Sequence, residues 1–137
     1  MATRADISSQ MSSTQSQIDT TQAKLNLVEK HIAEVKAAKK EIENLKESAD
    51  DLKIAFGKLD CMDTSYWDGS LFNRVKELYC LCYSDTKTYC KGLDYLADDL
   101  IYKETKLLNE RDTLNGTLGL ELRAWRWLAD QYEALTN

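Results

Sequence analysis

The side chains of this chain that could ligate a metal, move a proton or attack a carbonyl are few and scattered. Four cysteines are present, Cys61, Cys80, Cys82 and Cys90, and no two of them form a C-x-x-C pair. His31 is the only histidine. A structural zinc needs four Cys or His ligands at knuckle spacing, so no metal site is expected. Asp50-Asp51 and Asp98-Asp99 are adjacent carboxylates. Neighbours on a helix diverge by about 100°, so neither pair converges on one substrate. The chain has no glycine-rich phosphate loop, no G-x-S-x-G elbow and no Glu-x-x-His motif of a di-iron bundle. A non-enzymatic protein without a cofactor is the expectation. Cys80, Cys82 and Cys90 fall in a helical pattern, where a thiol acts as a small hydrophobe, so buried or half-buried thiols are expected. A redox role for them, favoured by nearby Arg74, Lys76 and Lys91, is the lesser reading.

The elements that must position these residues are helices. The 137 residues, enough for one domain, include five glycines and no proline. The chain is 43% hydrophobic and 30% charged, outside the range of disordered chains. No apolar run approaches a membrane span, and MATRADISSQMSSTQ at the start has no apolar core of a Sec signal. The net charge is −5. Residues 1–60 carry nine basic and ten acidic side chains, and 61–137 carry nine and thirteen, so no basic block exists to neutralise nucleic-acid phosphates.

From Val28 the apolar residues Ile32, Val35, Ala38, Ile42, Leu45, Ala49, Leu52, Phe56 and Leu59 follow in steps of three or four. They predict a first helix over 18–59, with one slip of the heptad near Ala38. Residues 1–17, poor in apolar side chains, read as a frayed start. Phe72, Tyr79, Thr86, Leu93, Leu100, Leu107 and Leu114 recur every seven residues, and Val75, Cys82, Tyr89 and Leu96 stand three later. They predict a second helix over 70–114 with an a/d seam. Asn115-Gly116 reads as a stop, followed by a third, shorter helix over 120–135. That helix has Leu118, Leu122, Trp125, Leu128 and Tyr132 on one side and Leu120, Ala124 and Trp127 on the other. The fold expected is all-α: a long antiparallel helical hairpin with a shorter C-terminal helix.

The bend, 60–69, contains Trp67-Asp68-Gly69. The ring would cover the helix ends and the glycine would leave room for it. Helix, W-x-G bend, helix resembles the small WXG-motif proteins of type VII secretion. The longer first helix and the tail resemble the WXG-like proteins that accompany LXG-domain toxins in Gram-positive systems. The stretches that carry the likeness are IAEVKAAKKEIENL at 32–45, YWDGSLF at 66–72 and LNERDTLNGTLGLEL at 108–122.

The resemblance implies an adaptor that binds the helical N-terminal domain of an LXG toxin, with a second small helical partner in some systems. It also implies a cytoplasmic protein, co-secreted in some cases by a Sec-independent route. Tyr95 and Asp99 fit the family's Tyr-x-x-x-Asp/Glu export signal, but one such match is expected by chance and some forty residues follow it, so an exposed helix surface is the preferred reading. The seam residues assigned to partner binding are Phe72, Tyr79, Leu93, Leu100 and Leu107, with Trp127 as an exposed anchor. A self-associating coiled-coil scaffold satisfies the same stripes and is the competing reading.

Overall fold

A computed structural model describes residues 2–59 and 69–136, with side chains over 2–56 and 73–135. It is an all-α helical hairpin of two helices, α1 (Arg4–Leu59) and α2 (Gly69–Thr136). Trp67 and Asp68 lie outside the described residues, as does Cys61, and Gly69 is the first residue of α2.

Helix α1 begins at the very start of the chain, not at residue 18. The reason is a capping box that spans Thr3 and Asp6. The Asp6 amide donates to Thr3 Oγ1 at 3.2 Å, and the Thr3 amide donates to Asp6 Oδ2 at 2.9 Å. The Thr3 hydroxyl also donates to Asp6 Oδ2, at 2.8 Å. Donors that the first turn cannot satisfy internally thus find partners. These hydrogen bonds hold the Asp6 carboxyl below the usual carboxylate range, the backbone donor contributing most.

Helix α2 runs unbroken through Asn115-Gly116, so the expected third helix is the last part of α2. A glycine stop requires a left-handed residue, and no described glycine has positive φ. A glycine inside a helix costs only about 1 kcal/mol against alanine, and side chains on both sides of this one pack. Leu114, Leu118, Trp125 and Tyr132 are half-buried and Leu128 is buried.

The hairpin divides into two compact units. The terminal unit joins Met1–Glu34 to Glu104–Asn137, and the middle unit is Val35–Lys103. In the terminal unit Ile7, Ile18, Thr21, Leu25, Val28 and Ile32 of α1 are buried. With half-buried Met11 and Thr14 they form an alternating four-three stripe. Arg4 lies over the Tyr132 ring, 4.5 Å from its centroid, and Thr21 bonds Glu121, so the two helices run antiparallel.

The middle unit is also an antiparallel pair. Lys46 Nζ lies 2.8 Å from Asp94 Oδ1, and Phe56 meets Tyr79 edge to face at 6.0 Å. Asp94 raises the Lys46 pKa, chiefly through this hydrogen bond. The Tyr79 hydroxyl donates to the Phe56 carbonyl, which ties the two helices together near the described end of α1.

The seams differ from expectation in two places. On α1 the apolar pattern slips near Ala38 but burial does not. Lys39 is half-buried beside half-buried Ala38, Lys46 takes the half-buried position next to exposed Leu45, and Leu52 is exposed as well. On α2 the half-buried series in the middle unit is Val75, Tyr79, Tyr83, Thr86, Cys90, Ala97 and Leu100, with Leu93 buried. The seam pairs each a-like residue with the one four later, so Cys82, Tyr89 and Leu96 fall outside it. Cys80 and Cys82 are exposed, against the expectation of buried or half-buried thiols, and among the described cysteines Cys90 alone is half-buried.

Candidate functional site

Two surfaces of the hairpin offer more than a solvated helix face, one in each unit. In the terminal unit a depression of about 550 Å³ is lined by polar groups, among them Ser16, Gln17, Thr20, Lys24 and Thr117. Its floor is the pair Thr21–Glu121. Thr21, 6% exposed, donates its hydroxyl to Glu121 Oε1 at 2.8 Å. Glu121 Oε2 is buried and accepts no hydrogen bond among the described residues. A polar pair in an apolar seam fixes which turns face each other. Nothing in the sequence singled it out, although Thr14, Thr21 and Val28 share one heptad position.

The middle unit carries an apolar surface. Tyr89 and Leu96 on α2 are each 50% exposed, and Leu45 and Leu52 on α1 are 44% and 53% exposed. A depression of about 450 Å³ on α2 is lined by Tyr89, Gly92, Leu93, Tyr95, Leu96 and Asp99. A side chain built on Gly92 would meet nothing within 4 Å.

The residues assigned to partner binding separate into groups. Leu93 is buried, and Tyr79, Leu100 and Leu107 are half-buried within the hairpin's own packing. Tyr79 also stacks on Tyr83, with ring centroids 6.2 Å apart. Trp127 is 61% exposed. Phe72 lies in α2, and its side chain is outside the described set. Tyr95, 72% exposed, and Asp99, also exposed, lie one helical turn apart and share the Gly92 depression.

No group of three or more His, Cys, Asp or Glu among the described residues could hold a metal ion. No helix among them is long and apolar enough to cross a membrane. No protein-family model, curated protein or solved structure matches the chain.

Proposed function

We propose that the protein is a non-enzymatic adaptor. It binds the helical N-terminal domain of an LXG-type toxin and helps direct that toxin to type VII secretion. The observation that carries the binding role is the distribution of apolar surface. The middle unit buries only Ala49 and Leu93 among its described hydrophobic side chains, yet exposes ten large ones, from Leu45 to Tyr102. A helix pair with so thin a core and so much exposed apolar surface is completed by another protein. The toxin and the secretion route rest on the likeness of the W-x-G helical plan.

The test is an affinity pull-down of the tagged chain from its native cytosol, with every co-eluting chain identified. One stoichiometric partner with a long helical N-terminal region is the expected result. Recovery of the chain alone, as a self-associated species, would move the reading to a coiled-coil scaffold.

A further inference from the structure

We propose that one side of the middle unit is a trough for a single α-helix of a partner protein, and that this helix carries Lys or Arg two heptads apart. The proposal rests on the adaptor reading and names the surface it uses. Each apolar residue of the trough stands three positions after a seam residue. Leu45 follows Ile42, Leu52 follows Ala49, Tyr89 follows Thr86 and Leu96 follows Leu93. Three residues turn a helix by about 300°, so all four are displaced about 60° to the same hand of their seam. In an antiparallel pair, equal displacement brings both rows to one side. Lys46 is a seam residue and Asp94 stands one after Leu93, on the other hand of the α2 seam from Leu96, so their ion pair at 2.8 Å lies on the side away from the trough.

On α2 the trough contains a ready-made hole. Tyr89, Gly92, Leu93 and Leu96 occupy the i, i+3, i+4 and i+7 corners that receive a knob from a facing helix. Gly92 leaves one corner without a side chain. The hairpin gives no reason for this, since a Cβ there meets nothing within 4 Å and alanine would favour the helix. Gly116 has the same freedom, but among the described residues it lines none of the depressions noted above.

Charge selects the occupant. Asp85 and Asp99 stand one heptad before and after Gly92, both exposed, and neither has an ion-pair or hydrogen-bond partner among the described residues. Of the cations nearby, Lys87 lies over the Tyr83 ring at 4.4 Å, toward the seam, Lys91 is exposed beside Gly92, and Lys103, exposed three positions after Leu100, ends the row beyond Asp99. A second copy with its glycine level with this one would oppose Asp85 to Asp99 if antiparallel, or each aspartate to itself if parallel. Either way two holes would meet with no knob. A foreign helix with a large aliphatic residue flanked one heptad away on each side by Lys or Arg fills the hole and pairs both carboxylates. This gives Asp99 a docking role in place of an export-signal role.

The test uses the full chain and two helix-stapled peptides of about 25 residues with leucine at every a and d position. The peptides differ only in carrying Lys or Glu at the two positions flanking the central leucine. By fluorescence anisotropy at low salt, the Lys peptide should bind about tenfold tighter than the Glu peptide. Asp85→Lys/Asp99→Lys should reverse the preference. Gly92→Leu should weaken the Lys peptide about tenfold while the chain keeps or gains helix stability. Equal binding of the two peptides, or indifference to Gly92→Leu, would overturn the trough. So would a dimer of the chain alone that Gly92→Leu dissociates. The native pull-down keeps this result separate from the adaptor reading. A native partner retained undiminished by both variants defeats the trough and leaves the adaptor standing. A chain that recovers no partner defeats the adaptor.

Discussion

The terminal and middle units contain nearly equal lengths of the same two helices but treat their apolar residues differently. Among its described side chains the terminal unit buries six hydrophobic ones, five on α1 from Ile7 to Ile32 and Leu128 on α2, and leaves five large ones exposed, Leu27, Leu120, Leu122, Trp127 and Leu135. Among its described side chains the middle unit buries Ala49 and Leu93 and exposes ten large hydrophobic ones. In the terminal unit the a and d positions of α1 are Ile, Leu, Val, Met and Thr. In the middle unit two of them are Lys39 and Lys46, whose stems cover the seam, and the Lys46 ammonium pairs with Asp94. Lys46 displaces Leu45 to the flank. One unit is built to hold the pair together and the other to present a surface.

Core truncation should break the comparison most sharply. Leu25→Ala in the terminal unit should cost about 2–5 kcal/mol, read by urea unfolding, whereas Leu52→Ala in the middle unit should stay within about 1 kcal/mol. Equal losses would abolish the division of labour. Next in size is the buried pair. Thr21→Val removes the donor to Glu121 and should cost about 1–3 kcal/mol. Adding Glu121→Leu should recover most of that loss, since removing both polar partners spares either from being stranded. Trp127→Ala should leave the melting temperature of the isolated chain unchanged and weaken partner binding by about 1–3 kcal/mol if the exposed ring is an anchor.

The smallest effects are ionic. The Asp6 pKa is lowered by folding, so its contribution is present above the usual carboxylate range and is lost as pH falls through the lowered value. Amide exchange in the first turn should rise there, and Asp6→Asn should remove that pH dependence. The Lys46 pKa is raised, so its contribution is full below the usual lysine range and is lost as pH rises through the raised value. Lys46→Met should flatten the fall at high pH and lower the neutral-pH stability by the same small contribution.

The hairpin was legible in the sequence because its stripes are long. From Val28 to Ile42, and at Tyr79, Leu93, Leu100 and Leu107, hydrophobic spacing and packing agree. The start of α1 was missed because Ser, Thr and Gln outnumber apolar residues there, although Thr3-x-x-Asp6 was a readable cap. The α2 seam was displaced because Cys82, Tyr89 and Leu96 match a d position as well as Tyr83, Cys90 and Ala97 match the next. Only the facing helix decides between them. Hydropathy also cannot foresee a lysine in a seam, or that Thr21 would find a carboxylate a hundred residues away. The trough is the remainder of those choices, the apolar residues the seam did not use, so it emerges only once the seam is known.

The Thr21–Glu121 bond makes the two shifted registers of the terminal helices unequal. Heptad-spaced helices can shift past each other by a whole repeat without turning any side chain out of the seam. A shift in one sense sets Glu121 against Val28, an aliphatic residue with no hydrogen to give. A shift in the other sense sets it against Thr14, half-buried and equipped with a hydroxyl. The two neighbouring registers are therefore unequal in energy, and the less costly one is the one that sets Glu121 toward the start of α1.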